Sequence, residues 1–373
     1  MRLFAIILLL TAWNLPLFSQ GYRMEGTISP SMNGKFIHLF GIDYSSLNPV
    51  IRDSALISNG KFQFNGKINT PGLLVSIYIP SDHRLFSQFF IENRNISVHF
   101  PTPDSSQRYQ GLITRNNPIT TQYREWKKAT DSLYIAVWRF NHMIDSLENK
   151  HAPDTAIAAV KANQKIYSDA LRESKMRFIR QHPDYYISLY WLRYDLLSRL
   201  SSQPDVINAL YKGLTPAVQQ LPEGKALAET ITIITKLQPG KMLPSFSVPD
   251  TSGNIVKLDN FKGRYLLLDF WASWCGPCIA SIPAMKELHE AWKSKGLEIV
   301  SISLDDNRDK WLQAVRTHQM PWTQVSQLQG WKSPVAREYN IQFIPQVILV
   351  DKTGKILSVA SDDISRELPA FIK

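Results

Sequence analysis

The sequence predicts a multidomain protein: an N-terminal β-sandwich, a helical middle region and a C-terminal α/β domain. Three observations carry this. Short alternating apolar runs occupy roughly residues 22 to 100. Apolar residues then recur at intervals of three, four or seven from Ile119 onward. After Pro239-Gly240, buried-type strands alternate with helical segments. At 373 residues with 44% hydrophobic side chains, the chain has enough apolar material for more than one core.

The first region divides into Tyr22 to Ile28, Phe36 to Phe40, Asp53 to Ile57, Lys61 to Phe64, Leu74 to Ile79, Phe89 to Ile91 and Ile96 to Phe100. Seven short strands over this length fit a small sandwich or barrel. Asn59-Gly60, set between two such runs, reads as a hairpin turn because both residues tolerate positive φ. No cluster of His, Cys or paired carboxylates appears here, so the region is expected to be structural or a docking domain. Residues 101 to 118, with Pro101, Pro103 and Pro118, read as a connector.

Tyr123, Trp126, Leu133, Val137, Phe140, Ile144 and Leu147 predict a helix over Ile119 to Lys150, and Asp154 to Arg180 continues the period. Further helices are expected at Tyr185 to Leu200, Pro204 to Lys212 and Leu221 to Leu237. Tyr185, Tyr186, Tyr190, Trp191 and Tyr194 are expected to pack helices together rather than stack bases. His142 and Asp145 lie one turn apart without a third donor nearby, so they read as a solvated face and no metal site is expected.

In the last region, Tyr265 to Trp271 is a continuous apolar run of the kind that fills a central strand. Cys275 to Ser294 reads as helix, Leu297 to Leu304 as a second buried strand, and Arg308 to His318 and Val335 to Tyr339 as helices. Gln346 to Val350 and Lys355 to Val359 form a hairpin around Lys352-Thr353-Gly354, and Ser365 to Ile372 a final helix. The expected boundaries are therefore 1–19 for a signal peptide, 20–104 for the sandwich, 105–238 for the helical connector and 239–373 for the catalytic domain.

The formal net charge of +10 is spread evenly, with a surplus of +3 over residues 20 to 118, +3 over 119 to 235 and +2 over 240 to 373. No basic stripe suits a phosphate backbone, so nucleic acid is not an expected partner, and contact with a membrane is peripheral at most. Arg2 followed by the apolar run Leu3 to Leu10, with Ser19-Gln20 near a cleavage position, reads as a secretory signal too short to span a bilayer. No cysteine lies near the end of this segment, so a lipid-modified amino-terminal cysteine is not expected. A periplasmic or envelope location follows.

The sequence holds two cysteines, Cys275 and Cys278, within Phe270-Trp271-Ala272-Ser273-Trp274-Cys275-Gly276-Pro277-Cys278. Two thiols separated by two residues suit reversible dithiol/disulfide chemistry. A strand running directly into a helix puts Cys275 at the helix N-terminus, where free N–H groups and the positive dipole end favour a thiolate; Cys275 is therefore the expected nucleophile. Cys278, nearly one turn on, is the expected resolving thiol, and Gly276 and Pro277 shape the turn between them. Half a zinc site lacks two more ligands, and a purely structural disulfide would close too small a loop to stabilise much. Trp271 reads as core and Trp274 as the border of a substrate groove. Ile344-Pro345, just before an apolar strand, is where a cis bond suits a tight turn.

Trp274-Cys275-Gly276-Pro277-Cys278 resembles the active site of thioredoxins, and Pro283 matches that family's helix-kinking proline. The resemblance implies a thioredoxin fold for the last domain. It also implies that Asp269 is the buried acid serving the resolving cysteine, and that Ile344-Pro345 is the cis-proline step whose backbone pairs with substrate. Pro244-Ser245-Phe246, Asp250-Thr251-Ser252-Gly253, Phe261-Lys262-Gly263 and the insertion between Leu297 and Pro345 are similar to the TlpA and ResA-like reductases. Many members of that branch carry Glu three residues after the second cysteine, where this chain has Ser281, and Asn where it has Asp269. The sandwich, with Asp53-Ser54-Ala55 and Asn59-Gly60-Lys61-Phe62, resembles an uncharacterised domain that often precedes such catalytic domains.

The expectation is an exported thiol-disulfide oxidoreductase that needs no cofactor. Cys275, Cys278, Asp269 and Pro345 are its catalytic residues, and Trp274, Gly276, Pro277 and Ile344 contact substrate. The resemblance implies reduction of disulfide-containing envelope proteins, cytochrome c maturation included, with electrons from an inner-membrane or periplasmic donor. Two alternatives stand beside it: an envelope-binding or scaffold protein with an accessory thioredoxin domain, and a peroxiredoxin-like peroxidase. The second conflicts with Ala272, which stands where that class has threonine.

Overall fold

The computed structural model describes residues 21–43, 48–101, 112–197, 202–360 and 364–372. The apolar amino-terminal run lies outside them. Among the described residues no helix is long and apolar enough to cross a membrane. They fall into two compact units, one drawn from Met1–Ser198 and Leu210–Gly224, the other from Arg199–Ala209 and Lys225–Lys373.

The first unit begins with strands β1 (Tyr22–Thr27), β2 (Phe36–Asp43), β3 (Asn48–Leu56), β4 (Lys61–Gly66), β5 (Leu73–Ile79), β6 (Asp82–Ile91), β7 (Asn95–His99) and β8 (Ile113–Arg115). They form two four-stranded sheets, ordered β4-β1-β7-β8 and β3-β2-β5-β6. Strict alternation of buried and exposed residues, as in β1 and β7, turns one face of each strand inward. Met24, Ile37, Phe64, Ile77, Phe89 and Val98 from the two sheets meet in a single core. Each such side chain contributes about 1.5–3 kcal/mol on burial. Part of the stretch read as a connector supplies β8, an edge strand paired with β7.

The Asn59-Gly60 turn corrects one expectation. Both residues have positive φ, at 52° and 65°, and Ser58 and Lys61 exchange backbone hydrogen bonds of 2.9 and 3.0 Å. The turn is thus the expected two-residue kind, but its arms do not continue as a pair. β3 pairs with β2 in one sheet and β4 with β1 in the other. Ile57 decides this, because its N–H is bonded to the Lys35 carbonyl on the β2 side, so the chain crosses between layers at the turn.

Two long helices, Pro118–Asn149 and Asp154–Gln181, follow and pack along each other. Asn117 caps the first, its side chain accepting from Thr120 N–H. Buried residues of the first helix stop at Thr130. The expected helix after Tyr185 is interrupted: an α-helical piece, Tyr186–Trp191, gives way to a π-turn at Leu192–Leu196. Asp195 of this widened turn pairs with buried Lys175 at 2.5 Å. The aromatic residues pack as expected, Trp191 stacking on Trp126 and Tyr190 meeting Phe90 edge-on.

The second unit holds a two-stranded ribbon, β9 (Ser247–Pro249) with β10 (Ile255–Lys257), and a five-stranded sheet. The sheet consists of β11 (Tyr265–Trp271), β12 (Leu297–Ser303), β13 (Thr323–Ser326), β14 (Gln346–Val350) and β15 (Ile356–Ala360), ordered β13-β12-β11-β14-β15. β11 to β13 run parallel, β14 runs antiparallel to β11, and β15, antiparallel to β14, points the same way as β11. β11 is central and buried from Leu266 to Trp271, which explains its unbroken apolar run. It feeds the helix Gly276–Trp292, which keeps Pro283 inside it. The expected final helix shrinks to Leu368–Phe371. Pro369 has no N–H to donate and so fits only the first turn, which delays the helix start until Leu368.

Candidate active site

The carboxyl end of β11 continues through Ala272, Ser273 and Trp274 to Cys275, and a bond from Cys275 N–H to Ala272 O at 3.1 Å tightens this loop. Cys275 is the N-cap of the helix Gly276–Trp292, and its Sγ accepts from the Cys278 N–H at 3.2 Å. The sulfur thus stands where a capping oxygen usually sits. A thiolate there meets the helix dipole and a free N–H donor, both of which lower a thiol pKa. Cys275 and Cys278 are joined by a disulfide, with Cα atoms 5.3 Å apart.

Both cysteines are enclosed. Cys275 is 5% exposed and Cys278 2%. Gly276 and Pro277 between them are exposed, and Trp274 is 54% exposed. Facing Cys275 Sγ at 3.8 Å is the carbonyl oxygen of Ile344, and the Ile344-Pro345 peptide is cis. The disulfide, Trp274, Gly276, Pro277, Ile344 and Pro345 are therefore gathered in one place from two separate stretches of chain.

Asp269 stands apart from that group, within β11. It is buried, and its hydrogen-bond partner is Ser301 rather than a cysteine: the Ser301 hydroxyl donates to Oδ2 at 2.6 Å. Burial pushes the Asp269 carboxyl up to about 6, against the smaller lowering effect of the Ser301 bond. Ser281, in place of the glutamate common in the reductase branch, donates its hydroxyl to the Cys278 carbonyl at 2.8 Å and brings no carboxylate.

Three further residues were not legible in the sequence. Asp305, buried at the end of β12, accepts from Ser273 N–H at 2.9 Å, Ser273 Oγ at 2.5 Å and Ser303 Oγ at 2.7 Å. It ties the loop that leads into Cys275. Trp322 donates its indole N–H to Ser301 Oγ at 2.8 Å. Trp331, 46% exposed, places its ring 6.2 Å from that of Trp274 and widens the aromatic rim. The one sequence signal for the first of these was Ser301 and Ser303 alternating within an otherwise apolar strand, which marks a polar stripe on one face.

Two regions of the chain are similar to known families, and part of the chain to known proteins. Residues 239–359 match the AhpC/TSA family, and residues 22–118 match a domain of unknown function, DUF4369. The thiol-disulfide oxidoreductase ResA of Bacillus thuringiensis strain Al Hakam is 32% identical over 147 residues, which is 37% of this chain and 79% of that protein. ResA of Bacillus anthracis gives the same values: 32% over 147 residues, 37% and 79%. A solved thiol-disulfide oxidoreductase from Bacteroides fragilis NCTC 9343 is 34% identical, covering 35% of this chain and 100% of that one, with a TM-score of 0.34.

Proposed function

We propose a role for this chain on the premise that it belongs to the thiol-disulfide oxidoreductase family, with a C-terminal thioredoxin-like domain, and is an enzyme acting on disulfide-containing proteins. The observation that carries the proposal is Cys275 at a helix N-terminus, bonded to Cys278 and faced by the Ile344 carbonyl.

In the reductive direction, the Cys275 thiolate attacks one sulfur of a substrate disulfide. The substrate S–S bond breaks, a Cys275–substrate S–S bond forms, and one substrate thiolate leaves. Cys278 then attacks Cys275 Sγ, its proton passing to Asp269. The Cys275–Cys278 disulfide forms and the second substrate thiol departs, so two electrons have moved from the dithiol to the substrate. Asp269, with its raised pKa, is ionised at neutral pH and close enough to neutrality to exchange a proton readily. The Ile344 carbonyl, facing Cys275 Sγ, pairs with an extended substrate segment while Trp274, Gly276 and Pro277 contact its side chains.

The protein is exported and works in the periplasm or envelope, a reading supported by Arg2 and the apolar run Leu3 to Leu10. In that oxidising compartment a reductase needs a donor to reset its dithiol, and a membrane-bound or periplasmic donor fills that place. Reduction of envelope proteins, including apocytochromes during haem attachment, is the proposed duty.

The test is the reduction potential of the Cys275/Cys278 couple, measured in defined thiol buffers by tryptophan fluorescence. A value at or below about −220 mV supports the reductase; one near about −120 mV makes the protein an oxidant and overturns the direction.

A further inference from the structure

Asp269, Ser301 and Gln324 stand side by side on β11, β12 and β13: Asp269 is in register with Ser301, and Ser301 with Gln324. In-register neighbours point to the same face of a sheet, so the three form a buried polar row inside an otherwise apolar core. Trp322, just before β13, reaches this row with its indole N–H, 2.8 Å from Ser301 Oγ.

The chemistry of the groups dictates the direction of every bond. An indole N–H donates and never accepts, so Ser301 Oγ receives it on a lone pair. The hydroxyl has one proton, and it goes to Asp269 Oδ2 at 2.6 Å. Gln324, the alternative acceptor on this face, has neither amide atom in a hydrogen bond among the described residues, so it does not compete for that proton. The order Trp322 to Ser301 to Asp269 therefore runs one way.

We propose that Ser301, oriented by Trp322, is a positioning residue that holds Asp269 Oδ2 as a standing acceptor and leaves Oδ1 to carry the proton exchanged with Cys278. This rests on the reading of Asp269 as the acid-base group for Cys278. A donor fixed on Oδ2 favours the ionised carboxylate and offsets part of the burial that would otherwise keep the group protonated. Burial raises the Asp269 carboxyl pKa and the Ser301 bond lowers it in part. The helix Gly276–Trp292 carries Cys278, Lys286, Glu287, His289 and Glu290; Glu287 and Glu290 are exposed, Cys278 is buried, and the His289 ring lies 5.6 Å from that of Trp322. β12, β13 and β14 present Ser301, Gln324 and Val347, none of which titrates.

The experiment follows the Asp269 carboxyl directly in the full-length oxidised protein, by the infrared carbonyl band of its protonated form, and the pH profile of single-turnover reduction of a model disulfide in parallel. Ser301→Ala is expected to move the carboxyl midpoint upward by about one pH unit and the acid limb of the profile with it. Trp322→Phe, which leaves the hydroxyl free to turn, is expected to move both upward by less; it also serves if Ser301→Ala does not fold. Asp269→Asn identifies the band and removes the limb. An unmoved midpoint in both Ser301→Ala and Trp322→Phe, with the limb still lost in Asp269→Asn, overturns the positioning role and leaves Asp269 in place. A limb that survives Asp269→Asn overturns the role of Asp269 and this inference together.

Discussion

Asp305 holds Ser273 by both of its donors, the backbone N–H at 2.9 Å and the hydroxyl at 2.5 Å. Ser273 lies two residues before Cys275, so a buried carboxylate just past the end of one strand sets the path by which the neighbouring strand leads into Cys275. Hydrogen bonds to a charged acceptor are worth about 1.5–3 kcal/mol each and are not additive.

Asp305→Ala is accordingly expected to lower stability by about 2–4 kcal/mol and to slow alkylation of reduced Cys275, since the loop loses its tie. Asp305→Asn keeps one acceptor oxygen and should lose less. Urea midpoints and iodoacetamide rates check both; a stable Asp305→Ala protein with unchanged alkylation would show that the loop holds itself.

Cys278→Ser removes the resolving thiol and is expected to accumulate a covalent adduct between Cys275 and a protein substrate, visible by intact mass and cleared by added dithiol. Cys275→Ser should form no such adduct and lack reductase activity. Equal trapping by the two variants would exchange the assigned roles.

Asp269 makes stability depend on pH in a direction that can be worked out. Its folded-state pKa, about 6, lies above the ordinary value of about 3.9, so the folded protein binds this proton more tightly than the unfolded chain. The ionised carboxylate therefore destabilises the fold, fully above the folded pKa and not at all below the unfolded one. Asp269→Asn is expected to be more stable than wild type by about 2–3 kcal/mol at pH 8, with the gap closing below about pH 4. Denaturation at the two pH values decides it, and a gap independent of pH would mean that the carboxyl is not raised.

Trp331→Ala is expected to raise KM for a protein substrate about fivefold, equivalent to about 1 kcal/mol, while leaving the reduction potential of the cysteine pair unchanged. An unchanged KM would mean that the exposed Trp274–Trp331 pair does not meet substrate.

Much of this was legible in the chain itself. The apolar run before Cys275, the two-residue spacing to Cys278 and the helical periodicity after it are local features, so strand, nucleophile and helix could be placed without knowing the fold. The same holds for the alternating strands of the sandwich and the two long helices. What depended on tertiary structure was which strands lie side by side. Asn59-Gly60 correctly announced a turn but not that its arms enter different sheets, because turn chemistry is local and strand partnership is set by the shared core. Asp269 drew notice through resemblance, but its partner Ser301, 32 residues later, and Trp322, 21 residues beyond that, come together only because β11 and β12 run in parallel register with β13 alongside. The same lateral pairing brings Asp305 to Ser273, across 32 residues of sequence. The sequence alone singled out the cysteine pair that the structure joins in a disulfide. The fold decided which buried polar groups surround them, since hydrogen bonds between strands join residues that no spacing along the chain relates.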